Sequence, residues 1–107
     1  GVKVSYNINE TLDWADAINV LRIQKERMGK GLISSDIEYK NFFGITNDRV
    51  SNLKKEITIL HPGPMNRGVE IDSGVADGDQ AIILDQVLNG VAIRMSILYM
   101  LNANKEF

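Results

Sequence analysis

Arg22 and Gln24 stand at alternate positions where a mostly apolar run, Ala17-Ile18-Asn19-Val20-Leu21, gives way to polar residues. In an extended chain alternate side chains share a face, so the pair would offer a planar guanidinium fork and an amide to one point in space. Such a fork matches a carboxylate through two parallel hydrogen bonds, and the pair together suits a carboxylate and an amino acid backbone. Solvated polar residues leaving a strand would look the same, and stay the alternative. The second grouping is His61-Pro62-Gly63-Pro64. Carbonyls next to proline would be exposed there as fixed acceptors, and Gly63-Pro64 is a candidate for a cis bond. A plain tight turn with a capping His61 is the competing reading.

Other signatures fall away. The sequence holds no G-x-x-x-x-G-K-[ST], no G-x-G-x-x-G after a strand and no G-x-S-x-G elbow, and Gly29-Lys30-Gly31 is not a phosphate loop. Asp77-Gly78-Asp79 hints at calcium, but Leu88 occupies the position where an EF-hand supplies its bidentate Glu. Asn9-Glu10-Thr11 matches a glycosylation sequon, and in a cysteine-free chain where no signal peptide is expected this is read as a chance match.

The elements that must position these residues follow from periodicity. Val2, Val4 and Tyr6 alternate with Lys3 and Ser5, which predicts a short strand over residues 2–6; Asn7, Asn9 and Glu10 then signal a turn and a helix start. A short helix is expected over residues 10–17, followed by a strand through residues 17–21. Polar residues at the end of such a strand are where α/β sheets bind ligands. Residues 28–43 read as a mobile loop and an irregular packed segment, because Gly29, Gly31, Ser34 and Ser35 break periodicity while Ile37, Tyr39, Phe42 and Phe43 still need burial. Thr46 is an N-cap candidate for a helix over residues 47–54, and β-branched residues predict a strand at 57–60. Residues 65–79 read as loop. From residue 80 to about 103 the chain predicts one long helix of roughly 36 Å. Its polar stripe is narrow, and its apolar surface exceeds the roughly 100° that a surface helix requires. Strand and helix alternate, so the fold class is α/β: a partial doubly wound, Rossmann-like parallel sheet with flanking helices and a long C-terminal helix.

Composition sets outer limits. The 107 residues carry 12 Lys+Arg against 14 Asp+Glu, a formal net charge of −2, so nothing marks a polyanion as principal partner and nucleic acid is disfavoured. A basic membrane-surface helix is absent, and the longest apolar run, residues 97–101, is far short of the ~20 residues that span a bilayer. With no Cys and one His there are no disulfides, thiolate metal sites or cysteine nucleophile, and no metal is expected. A cytoplasmic protein is the default. A domain of roughly 100 residues buries only about two-thirds of its unfolded surface, too little for a deep two-lobed cleft, so a piece of something larger is expected. The numbering opens on Gly1, as a processed chain or an excerpt would.

Taken in order, Leu21-Arg22-Ile23-Gln24-Lys25-Glu26-Arg27, then His61-Pro62-Gly63-Pro64-Met65-Asn66-Arg67-Gly68-Val69-Glu70-Ile71, then residues 87–94, resemble the carboxy-terminal part of the aspartate carbamoyltransferase catalytic chain. The resemblance covers essentially the whole chain. That family transfers the carbamoyl group of carbamoyl phosphate to the amino group of L-aspartate, the committed step of pyrimidine synthesis. The resemblance implies that Arg22 binds the side-chain carboxylate of aspartate and Gln24 positions its amino acid end. The carbonyls of Pro62 and Gly63 would accept hydrogen bonds from the carbamoyl NH₂, with His61 and Pro64 as structural members of the turn. Lys25, Glu26 and Arg27 would begin a loop that closes over aspartate. No side chain acts as a nucleophile, and no cofactor is implied.

The phosphate-binding Ser-Thr-Arg-Thr type segment of the family has no counterpart here, nor does the lysine-bearing loop of the neighbouring subunit. The resemblance therefore divides the chain into a partial aspartate-binding domain, residues 1–79, and a helix, residues 80–107, that would pack on a missing carbamoyl phosphate domain. The parent protein would form a catalytic trimer. The 107-residue chain alone is expected to be inactive, and its apolar helix to drive association. Ornithine carbamoyltransferase is the nearest alternative, but its hallmark cysteine is replaced by Pro62, and Arg22 suits an acidic acceptor better than an ammonium group. A non-catalytic interaction module on the same fold is the remaining one.

Overall fold

Asn7 starts the first helix by accepting hydrogen bonds from the amides of Asn9 and Glu10 at 3.1 and 3.2 Å, and the chain turns extended at Ala15. In this computed structural model, which describes residues 1–24 and 35–103, helix α1 is Ile8–Trp14 and leads into strand β1, Ala17–Asn19. The following elements are α2 (Asp36–Phe43), α3 (Asn47–Ser51), β2 (Thr58–Leu60), α4 (Ser73–Ala76) and α5 (Ile83–Ala103). The two strands pair in parallel, Ile18 opposite Ile59, so the class is α/β with two parallel strands and a long C-terminal helix.

The other edge of β2 is also used. Ile59 donates its amide to the Gln80 carbonyl at 2.9 Å and its carbonyl accepts from the Ile82 amide at 3.0 Å. Residues 80–82 therefore run extended along β2, which is why α5 starts at Ile83 and not at residue 80. One core forms around this sheet, from Leu12, Ala15, Ile45, Ile57, Ile59, Ile71, Val75 and Ile83.

Three expectations need correction. The strand over residues 2–6 is not formed: Val2, Val4 and Tyr6 are 97%, 72% and 86% exposed. Alternation predicts which face a strand would bury, but pairing needs a second chain segment, and none among the described residues meets this one. Residues 36–43, expected to be irregular, form α2, with the Ser35 hydroxyl accepting from the Glu38 amide at 3.0 Å. The hydroxyl cap and the acidic first turn favour the helix despite its weak amphipathicity, and Ile37 and Phe42 stay exposed. The expected loop over 65–79 includes the short helix α4. By contrast, the Thr46 cap is present, accepting from the Arg49 amide at 3.2 Å.

Gly44 ends α2 where two backbone segments crowd together. A Cβ there would lie 2.7 Å from the Lys40 carbonyl oxygen and 3.0 Å from that of Val69. Gly44→Ala is expected to lower stability by about 1–3 kcal/mol, measured by urea denaturation, because backbone atoms must shift to admit the methyl group.

Helix α5 departs from the packed body. Of its residues only Ile83 is buried, while Leu84, Leu88, Ile93, Met95, Leu98, Tyr99 and Leu101 are each more than half exposed. The radius of gyration, 17.1 Å, exceeds the about 13 Å of a compact chain this long, as a projecting helix requires. Among the described residues no helix is long and apolar enough to cross a membrane.

Candidate functional site

The amide of Val20 donates to the Leu60 carbonyl at 2.8 Å, so the parallel pairing continues one residue past β1. The chain segments that leave the sheet at this end, residues 21–24 and 61–64, therefore start side by side. Carboxyl ends of parallel strands are where α/β sheets place ligands. Asn66 ties the two segments together, donating its side-chain amide to the Ile23 carbonyl at 3.0 Å. Ile23 is buried, with half-buried Arg22 and exposed Gln24 on either side of it.

The turn itself is built on a buried ring. His61 is fully buried, its amide donates to Gln86 Oε1 at 2.8 Å, and its Nδ1 accepts from the Gly63 amide at 2.8 Å. Its Nε2 lies 3.1 Å from Glu70 Oε1, which also accepts from the Asn66 amide at 2.6 Å. The Gly63-Pro64 bond is cis, as expected from the sequence. Gly63 has φ of +63°, a left-handed conformation that costs other residues roughly 1–2 kcal/mol. Pro62 and Pro64 are exposed, and no described residue hydrogen-bonds to the carbonyls of Pro62 or Gly63. Of the sequence-derived candidates, Arg22, Gln24, His61, Pro62, Gly63 and Pro64 thus gather at one end of the sheet. Lys25, Glu26 and Arg27 lie outside the described residues.

Sequence reasoning missed the supports. Asn66 and Glu70 lie inside the 61–71 motif without a role assigned to them, and Gln86 lies on the long helix beside its polar stripe, also without one. Gln86 carried a usable signal, a polar residue within the first turns of a largely apolar helix. Its Nε2 lies 3.4 Å from Asn19 Oδ1, so one side chain of α5 touches both the turn and the end of β1.

A cavity of about 630 Å³ lies elsewhere, between α1, α2 and α3, and contains none of these residues. Three of its charged residues, Lys40, Arg49 and Asp72, are engaged by protein partners. Lys40 Nζ pairs with Asp72 Oδ1 at 2.8 Å, and Asp72 Oδ2 accepts from the Asn47 amide. Burial pushes the Asp72 carboxyl up, but its bonds to Lys40 and Asn47 outweigh this and hold it below the ordinary aspartate value. Among the described residues, no group of three His, Asp or Glu side chains could hold a metal ion.

A parallel pair of strands whose carboxyl ends carry polar residues has the layout in which α/β domains place ligands. The chain belongs to the aspartate/ornithine carbamoyltransferase family, whose Asp/Orn binding domain matches residues 1–101. It is a homologue of part of the aspartate carbamoyltransferase catalytic subunit. It is 54% identical to that of Gemmatimonas aurantiaca over 105 residues, 98% of this chain and 33% of the relative. With that of Carboxydothermus hydrogenoformans it shares 51% over 107 residues, 99% of this chain and 34% of the relative. The chain thus spans about a third of the length of these relatives. Among solved structures, aspartate transcarbamoylase from Trypanosoma cruzi in complex with carbamoyl phosphate superposes with a TM-score of 0.70 at 26% identity, covering 85% of this chain and 28% of that one. Ornithine carbamoyltransferase from Pyrococcus furiosus has the same fold, with a TM-score of 0.73 at 19% identity over 94% of this chain and 32% of that one.

Proposed function

We propose that this chain is the L-aspartate-binding part of an aspartate carbamoyltransferase, which makes N-carbamoyl-L-aspartate and phosphate from L-aspartate and carbamoyl phosphate. The observation that carries this reading is the joining of the 21–24 segment to the 61–64 turn, through Asn66 and the β1–β2 pairing, in a chain about half identical to such catalytic subunits. Arg22 binds the side-chain carboxylate of aspartate and Gln24 its amino acid end. The Pro62 and Gly63 carbonyls accept hydrogen bonds from the carbamoyl NH₂, and Lys25, Glu26 and Arg27 belong to a closing loop. The substrate amine is itself the nucleophile. The protein's contribution is then orientation and stabilisation of charge as the tetrahedral intermediate forms and phosphate leaves.

Residues 1–79 form part of a doubly wound aspartate domain in this reading, and residues 80–107 pack on a carbamoyl phosphate domain supplied by the rest of a longer chain. The exposed apolar surface of α5 supports that packing, since patches larger than a few hundred Å² are rare on monomers. The parent enzyme is a cytoplasmic catalytic trimer that needs no cofactor.

The test is to graft these 107 residues in place of the matching stretch of the Carboxydothermus catalytic subunit and assay ureido product. The graft is expected to carbamoylate L-aspartate and not ornithine, while the 107-residue chain alone gives no product. A folded graft without aspartate activity, or product from the chain alone, overturns the reading.

A further inference from the structure

His61 is the single histidine of the chain, it is fully buried, and both of its ring nitrogens are engaged. The Gly63 amide donates to Nδ1, so Nδ1 presents a lone pair and the proton of the neutral ring sits on Nε2. Nε2 faces the carboxylate of Glu70, a residue only 1% exposed, which can accept but not donate when ionised. A carboxylate beside one ring nitrogen selects the tautomer that carries its proton there. Glu70 Oε2 has no partner among the described residues, so Oε1 alone makes the contacts, to His61 and to the Asn66 amide.

The tautomer has a geometric consequence one residue further on. The Gly63 N–H and the Pro62 C=O belong to the same peptide plane, and across this trans bond they point in opposite directions. Holding the N–H against a buried ring therefore turns the Pro62 carbonyl away from the core. The amide of His61 is fixed separately by Gln86, so the residue before the plane cannot follow a rotation freely. We propose that His61 and Glu70 are positioning residues: Glu70 keeps the proton on His61 Nε2, and the Nδ1 lone pair then anchors the 62–63 peptide so that the Pro62 carbonyl faces the carbamoyl amino group. The direction of that carbonyl matters only if Pro62 binds substrate, so the catalytic part rests on the function proposed above.

Two measurements test it. In the ¹⁵N-labelled 107-residue chain the imidazole nitrogens of the single histidine are unambiguous, and the proton is expected on Nε2. In Glu70→Met it is expected to spread over both nitrogens. A proton on Nδ1 in the unsubstituted chain, or an unchanged tautomer in Glu70→Met, overturns the proposal whether or not the chain is part of a carbamoyltransferase. The second measurement uses the graft. His61→Asn keeps an acceptor near the Nδ1 position and loses the contact to Glu70; His61→Gln does the reverse. His61→Gln is expected to lower kcat about 10²-fold with little change in KM for aspartate, and His61→Asn to retain most of kcat, because misplacing a substrate-orienting group by about 1 Å costs that much. Equal losses in the two variants, as simple loss of packing would give, overturn it. An inactive unsubstituted graft counts against the proposed function, and the imidazole result then decides this inference alone.

Discussion

Arg22→Met in the graft is expected to raise KM for L-aspartate on the order of 10²–10³-fold. A hydrogen bond to a charged group contributes about 1.5–3 kcal/mol, and a guanidinium meeting a carboxylate makes two in parallel. Allowing for the competition of water, a loss of about 3–4 kcal/mol follows, which is the stated change in affinity. Methionine preserves much of the apolar stem of this half-buried side chain, so the loss reports the guanidinium. Arg22→Lys is expected to fall between, since a point charge cannot reproduce the planar fork. Steady-state kinetics with aspartate varied at saturating carbamoyl phosphate checks both variants. An aspartate KM within twofold of the unsubstituted graft removes Arg22 from the role.

Much of this site was legible because its parts punctuate the sequence. Two prolines and a glycine after Ile57-Thr58-Ile59-Leu60 mark where a strand stops, and Arg22 and Gln24 mark the same event after the run ending in Leu21. That the two ends meet was not legible. Their meeting depends on the parallel register of β1 with β2, some forty residues apart, which local patterns do not encode. The same limit explains Asn66, Glu70 and Gln86, whose partners Ile23, His61 and the turn amides are set by tertiary packing. Helix α2 was missed for a local reason: Gly and Ser just before it interrupt the pattern, and its apolar residues Ile37 and Phe42 do not mark a buried face. The segment over residues 2–6 shows the opposite error, a clean alternation with nothing to pair against. Helix α5 was legible in existence and nearly in length, and its excess of apolar surface, a mismatch in the sequence, is exposed in the structure as well.

Arg49→Ala is expected to destabilise the chain by about 2–4 kcal/mol, a large part of the 5–15 kcal/mol that domains possess. Nothing in its spacing singles out Arg49, yet its guanidinium gathers three elements. Nε donates to Asn9 Oδ1 of α1 at 3.0 Å, while the two terminal nitrogens donate to the carbonyls of Lys40, Asn41 and Gly44 at 3.2, 2.6 and 2.8 Å. These carbonyls lie in the last turn and cap of α2, where a helix leaves most of its final acceptors without intrahelical partners; that of Lys40 also accepts from the Gly44 amide. Alanine removes every one of these bonds at once, whereas Arg49→Lys, with a single ammonium, can restore only part of them. The loss should reach the candidate site. Ile45 follows directly after Gly44, and its amide donates to the Glu70 carbonyl at 2.9 Å while its carbonyl accepts from the Asp72 amide at 3.0 Å. Loosening the end of α2 therefore loosens the segment that holds Glu70 against His61. Urea denaturation should show a midpoint lower by about 1–2 M, and amide exchange at Gly63 should accelerate beyond what the global destabilisation accounts for. A change below about 0.5 kcal/mol would place Arg49 among ordinary surface residues, and Gly63 exchange that tracks global stability alone would separate the clamp on α2 from the turn.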